Sequence, residues 1–203
     1  MKMKIELSKK NISLNDPCFL IAEVGQAHDG SLGSAHSFID AIAEAGADAV
    51  KFQTHIAKAE STRHEEFRVP GFFQDKSRFD YWKRMEFTPD QWASLYEHAN
   101  DVGLEFLSTP FSVEAINLLE NLGVKAWKLG SGDTTNTVLI NRLIETKKPI
   151  LISSGMSTYE ETDAIINKVK KEKIAYALFQ CTTSYPCPPE EIGFNVIKNF
   201  IEQ

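Results

Sequence analysis

Cysteine is scarce in this sequence, basic blocks are missing, and no apolar run is long. Three cysteines occur in 203 residues, Cys18, Cys181 and Cys187, an odd number without CxxC spacing. This argues against a disulfide frame and a cysteine zinc site, and for a reducing cytoplasm. No segment approaches the roughly 18 apolar residues of a membrane span. The opening stretch "MKMKIELSKKNISLNDPCFLIAEVG" breaks its apolar residues with charges, unlike a secretory signal. There is no Lys/Arg-rich tail, and the net charge is -6. Neither nucleic acid nor a membrane is therefore an expected partner. An anionic ligand would have to be held by local positive groups, against the overall charge. No G-x-G-x-x-G follows the first apolar run, which disfavours a dinucleotide-binding sheet.

The apolar content, 42% hydrophobic beside 25% charged, suffices for the core of one ordinary domain. It is distributed in a rhythm. Short apolar runs recur at 19–24 (FLIAEV), 49–53 (AVKFQ), 105–109 (EFLST), 126–130 (AWKLG), 150–154 (ILISS) and 176–180 (YALFQ). Each reads as a parallel strand covered on both faces. Helical patterns lie between them. Phe38, Ile39, Ile42 and Ala45 form one stripe that stops at Gly46. Thr88 and Pro89 open a second helix as N-cap and first residue. A third runs from Ser112 to Gly123, and a fourth starts at Ser157 or Thr158 with acids in its first turn.

Strand–helix alternation predicts an α/β fold with a parallel sheet and right-handed crossovers. Six units are visible, where a TIM-type (β/α) barrel has eight in about 250 residues. The expected organisation is an N-terminal extension over 1–18 and a partial barrel, about six of eight units, over 19–203. An open six-unit sheet is the alternative. One connection breaks the rhythm: "STRHEEFRVPGFFQDKSRFDYWKRMEF" is aromatic and charged, with no clear core pattern. Loops of this length are usually lids or binding loops.

Polar residues collect where the strands end, the place for chemistry in a barrel. The first strand leads into "EVGQAHDG", with Glu23, Gln26, His28 and Asp29. The second carries Lys51 and Gln53, and the later ones end in "STPF", "KLGSGD", "SSGM" and "QCTTSYPCPP". Lys128 poses the sharpest question. It stands in an apolar run whose nearest downstream acid, Asp133, lies beyond two glycines, and a buried ammonium is costly without a partner. Either it snorkels out of the strand end, or its partner is a ligand. One such lysine is more often a rim residue; two, on different strands, favour an anion site built with the surrounding hydroxyls and glycine N–H groups. On this view Lys51 and Lys128 are neutralised by a shared anion rather than by protein carboxylates. Taken singly, Glu23 caps a turn or pairs with a lysine, His28 is a surface or supporting residue, and Tyr185-Pro186 makes a rigid turn.

In series, "IAEVGQAHDGSLGSAHSFIDAIAEAGADAVKFQTH", "FLSTPFS", "WKLGSGDTTN", "ILISSGMST" and "CTTSYPCPP" resemble the sialic acid synthase family, from about Phe19 to Pro189. The resemblance implies a TIM barrel followed by a small antifreeze-like domain. It implies condensation of phosphoenolpyruvate with an N-acetylated amino-hexose aldehyde, release of phosphate, and a divalent metal, Mn2+ or Mg2+. It implies that Lys51, Thr109, Lys128, Ser131 and Ser153 grip phosphoenolpyruvate, and that Thr183 and Tyr185 line the site near sugar and phosphate. Glu23 and Gln53 match polar residues at its rim. Asp133 matches a position usually held by glutamate, which handles a proton, and is one methylene shorter. The resemblance places the family's histidine metal ligands beyond Gln203, together with the antifreeze-like domain through which its homodimers are partly held. A Schiff-base aldolase using Lys51 or Lys128 and a non-catalytic sugar- or anion-binding fragment are the competing readings.

Overall fold

The computed structural model describes residues 4–7, 10–13, 16–67 and 74–203. Two-residue strands β1 (Ile5–Glu6) and β2 (Asn11–Ile12) pair as a small ribbon. Beyond them the chain forms two compact units, one over Glu6–Lys125 and one built on Ala126–Gln203.

The first unit holds a parallel sheet in the order β3 (Ile21–Gly25), β4 (Ala49–Thr54), β5 (Glu105–Pro110). Helix α1 (Leu32–Glu44) crosses from β3 to β4. Ser31 caps it by accepting the Ser34 N–H, and it buries Ala35 and Ile39. Helix α4 (Pro89–Asp101) precedes β5 and opens with a capping box between Thr88 and Gln91. It buries Trp92, Leu95 and Ala99. Helix α5 (Val113–Leu122) follows, capped by Ser112 and closed by left-handed Gly123.

The pleat sorts β4 into two faces. Phe52 stacks on Phe106 at 5.6 Å and meets the edge of Trp92 at 5.9 Å. Fully burying each Phe contributes about 1.5–3 kcal/mol. Lys51 and Gln53 alternate with these residues and so stand on the opposite face. The register places Lys51 beside Glu23 and Gln53 beside Thr109.

The second unit repeats the plan with the order β6 (Trp127–Leu129), β7 (Ile150–Ser153), β8 (Tyr176–Phe179). Helix α6 (Thr137–Glu145) buries Leu139, Ile140, Leu143 and Ile144. Helix α7 (Tyr159–Lys171) has a Thr158–Glu161 capping box, acids in its first turn and lysines in its last, both favourable to the dipole. Helix α8 (Phe194–Glu202) ends the chain.

The strand-and-helix alternation and the parallel pairing agree with the expected α/β class. Two expectations need correction. β8 is only half-buried along its length, although β6, at the other edge of the same sheet, is fully buried. Helix α2 (Ala57–Glu60) directly precedes the connection expected to lack a core pattern, and helix α3 (Arg78–Met85) lies within it. Residues 68–73 of that connection lie outside the described residues.

Candidate functional site

In the first unit the polar face of the sheet is built around a buried lysine. Lys51 Nζ lies 2.7 Å from Glu23 Oε2 and donates to Thr109 Oγ1 at 3.0 Å and, more weakly, to Phe52 O at 3.4 Å. Burial pulls the ammonium below its ordinary pKa, and the Glu23 carboxylate opposes that shift. The expectation that Lys51 is neutralised by a ligand and not by a carboxylate is thus overturned. The parallel register sets Glu23 directly across from it, which strand-by-strand reading does not reveal. Glu23 itself is about half exposed, with a side chain 48% accessible. Gly25, at φ +55°, keeps the space beside it clear; a Cβ there would stand 3.3 Å from Glu23 Oε1.

Gln53 is one pleat further on. Its Oε1 accepts from Gln26 Nε2 at 3.2 Å and faces His55 Nε2 at 3.4 Å. Glu23, Lys51, Gln53 and Thr109 therefore do come together at the C-terminal ends of three adjacent strands.

Two residues of the "AHDG" loop do other work. His28 is fully buried rather than superficial, its ring 4.7 Å from that of Phe87. Its Nδ1 accepts the Gly30 N–H, and burial lowers its pKa from 6.5 to about 4. Asp29 pairs with Arg84 at 2.6 Å. A Cβ on Gly30 would meet the Arg84 carbonyl oxygen at 2.3 Å, so only glycine fits that turn.

In the second unit Lys128 is 8% exposed and does not snorkel freely. Its ammonium donates to Ser153 Oγ and to Leu129 O, the latter at 3.2 Å, and lies 5.2 Å over the Phe179 ring. The cation–π contact adds to the hydrogen bonds. Lys128 and Ser153 are neighbours because β6 and β7 pair in register.

Ser131 and Asp133 stand on a short 3₁₀ turn after β6, where the Asp133 carboxylate accepts from Asn136 Nδ2 at 3.2 Å. The Thr183 hydroxyl donates to the Gly155 carbonyl at 2.8 Å. Tyr185 precedes a cis Pro186 and exposes 92% of its surface. Lys128 and Ser153 are thus joined in one cluster. Ser131 and Asp133 follow β6 on one 3₁₀ turn, and Thr183 and Tyr185 lie beyond the end of β8.

Among the described residues, no group of three or more His, Cys, Asp or Glu side chains is placed to hold a metal ion. No helix described is long and apolar enough to cross a membrane.

Residues 38–203 match the model of the NeuB family. The chain belongs to the NeuB family. The human N-acetylneuraminate-9-phosphate synthase is 32% identical over 186 residues, covering 91% of this chain and 52% of that protein. The N,N'-diacetyllegionaminic acid synthase of Legionella pneumophila is 31% identical over 194 residues, covering 92% of this chain and 54% of that protein. Among solved structures, the N-acetylneuraminic acid synthetase of Leptospira borgpetersenii, crystallised with citrate, superposes with a TM-score of 0.84 at 27% identity. That superposition covers 98% of this chain and 66% of the other. The chain spans about half the length of the curated NeuB relatives it matches.

Three further groups do not stand out in the sequence as site elements: the Thr54–Ser108 hydroxyl pair at 2.7 Å, the Ser154 hydroxyl donating to Phe179 O, and the His55–Glu60 pair. The last carries one available signal, a histidine in "KFQTH" directly beyond a strand end.

Proposed function

We propose that the whole protein condenses phosphoenolpyruvate with an N-acetylated amino-hexose in its open aldehyde form, yielding a nonulosonic acid and phosphate. The observation that carries this reading is a buried lysine within a parallel strand of each sheet, Lys51 on β4 and Lys128 on β6, each bonded to a hydroxyl. Phosphoenolpyruvate has two anionic groups, and lysines with hydroxyls suit both. The names of the NeuB relatives support the same chemistry, and being synthases they do not favour the Schiff-base alternative.

In this reading the chain supplies part of a TIM-type (β/α) barrel. Lys51, Thr109, Lys128, Ser131 and Ser153 bind phosphoenolpyruvate, Thr183 and Tyr185 line the site near sugar and phosphate, and Gln53, at the rim, is assigned to the sugar. Holding C3 of phosphoenolpyruvate against the aldehyde carbon lowers the entropic cost of the new C–C bond. Phosphate leaves with its bridging oxygen, so atom balance requires water to supply oxygen at C2. Asp133 handles a proton at the reacting centre, and Glu23 yields Lys51 to the incoming anion. A divalent metal, Mn2+ or Mg2+, supplies Lewis acidity toward the aldehyde oxygen when bound; the described residues do not form its site. The full-length protein acts as a homodimer.

The test is phosphate release from phosphoenolpyruvate by the full-length protein, with manganese and a panel of N-acetylated amino-hexoses. Sugar-dependent release is the expected result. Borohydride trapping of a pyruvate adduct on Lys51 or Lys128, without such release, would sink the reading.

A further inference from the structure

Behind the polar face of the first sheet lies a histidine that the proposed chemistry does not use. His55 follows β4 directly and is 4% exposed. Its ring is clamped between Trp82 of α3, with centroids 3.8 Å apart and planes at 13°, and Phe111, at 4.2 Å and 10°. Two flat faces fix the ring plane. Within that plane Nδ1 faces both oxygens of Glu60, at 2.9 and 3.0 Å. The Glu60 side chain is only 9% exposed. Nε2 points the other way, to Gln53 Oε1 at 3.4 Å, and the same oxygen accepts from Gln26 Nε2 at 3.2 Å.

The chain of contacts therefore runs Glu60, His55, Gln53, Gln26. The carboxylate keeps a proton on Nδ1. If the ring carries a second proton, Nε2 donates to the Gln53 carbonyl oxygen. If it does not, Nε2 is an acceptor and the amide must turn its NH2 toward the ring. In both states the ring decides which end of the Gln53 amide faces away from it. That outward end, Nε2 as the atoms stand, lies 3.8 Å from where a Cβ on Gly25 would be, on the side of Glu23. Gln26 Nε2 donates to the Gln53 oxygen as well, and because the buried Gln26 Oε1 has no partner among the described residues, the Gln26 amide can turn together with that of Gln53.

We propose that His55, held by Glu60 and the aromatic clamp, is a positioning residue for Gln53. It orients the amide that meets the acceptor sugar and so sets acceptor affinity rather than the chemistry on phosphoenolpyruvate. The inference rests on the assignment of Gln53 to the sugar under the function proposed above.

The experiment is steady-state kinetics of the full-length protein with both substrates. His55→Phe keeps the stack and removes both ring nitrogens. It is expected to raise KM for the N-acetylated amino-hexose roughly tenfold, the loss of one oriented hydrogen bond, with little change in KM for phosphoenolpyruvate. Glu60→Leu should behave alike, and Glu60→Gln, which keeps an acceptor for Nδ1–H, should restore most of the affinity. If His55→Phe fails to fold because Glu60 is left buried without a partner, the Glu60 pair carries the same comparison. Adding His55→Phe to Gln53→Ala should cost nothing more. An unchanged acceptor KM in His55→Phe or Glu60→Leu, or additivity with Gln53→Ala, overturns the proposal.

A Gln53→Ala variant with unaltered acceptor KM would instead defeat the assignment of Gln53. Positioning is then read by NMR from the Gln53 side-chain amide. It should give one sharp signal pair in the wild type and shifted, broadened signals in Glu60→Leu; identical spectra overturn the proposal.

Discussion

The two sheets bury a lysine in different ways. In the first unit Lys51 is matched by a carboxylate, Glu23 at 2.7 Å, and further titratable groups lie in the same unit: His28 and His55, both buried, and Glu60 beside His55. In the second unit the contacts described for Lys128 are a serine hydroxyl, a backbone carbonyl and the face of Phe179. An ammonium in an apolar strand can be offset by countercharge, as at Lys51, and by hydrogen-bond acceptors and a π face, as at Lys128. The first is sensitive to protons and salt. The second depends on geometry. The difference teaches that the first unit should set the protein's acid response.

The largest effect should come from acid. His28 has a pKa of about 4 in the folded chain against 6.5 ordinarily. Between these values the unfolded chain binds the extra proton, so stability falls as pH drops from 6.5 toward 4 and levels off below. The loss is at most about 3 kcal/mol for a shift of this size. Urea unfolding at pH 7 and pH 4.5 should show His28→Phe losing much less stability than the wild type. An equal acid loss in both would move the acid response elsewhere.

Next come the lysine partners. Ser153→Ala removes an acceptor from a buried ammonium and should cost about 1–3 kcal/mol, with little dependence on salt. Glu23→Gln keeps the shape and removes the charge. Because Glu23 is half exposed, the cost should be only about 1 kcal/mol and should shrink in high salt. Thermal unfolding at two ionic strengths checks both; no cost for Ser153→Ala, or a Glu23→Gln cost that does not shrink in high salt, would contradict this account.

The smallest effects should be alike in the two units. Both use a threonine capping box, Thr88 with Gln91 and Thr158 with Glu161. Thr88→Ala and Thr158→Ala should each lower stability by about 1 kcal/mol. A cap that matters in one unit and not in the other would mean that local helix formation, not site chemistry, distinguishes them.

Much of this fold is legible in the amino-acid sequence. Buried parallel strands are short contiguous apolar runs, so the runs at 19–24, 49–53, 105–109, 126–130, 150–154 and 176–180 all coincide with strands to within a residue or two. Lys51, Thr109, Lys128 and Ser153 stand out as polar residues inside such runs. What stays hidden depends on register or on distant packing. The Glu23–Lys51 pair exists because β3 and β4 align those two residues. Helix α3 is hard to see because "RFDYWKRM" mixes charge with aromatics and buries fully only Met85. Its Trp82 is one wall of the His55 clamp, so a reading that misses the helix also misses the clamp. Helix α6 begins with "TVLI", a β-branched start that blurs its helical period. His28 looks superficial in the sequence because the burial of a loop histidine is decided by Phe87, far along the chain.

The central proposal is that Lys51 and Lys128 each bind phosphoenolpyruvate, despite their different surroundings. Calorimetric titration of the full-length protein with phosphoenolpyruvate, in wild type, Lys51→Met and Lys128→Met, tests it most directly. Methionine fills a similar volume without the charge. The account predicts binding in the wild type and a loss of roughly 10- to 150-fold in each variant, as expected for a charge-assisted contact of about 1.5–3 kcal/mol. Wild-type affinity in either variant would reduce that lysine to a structural residue and contradict the account.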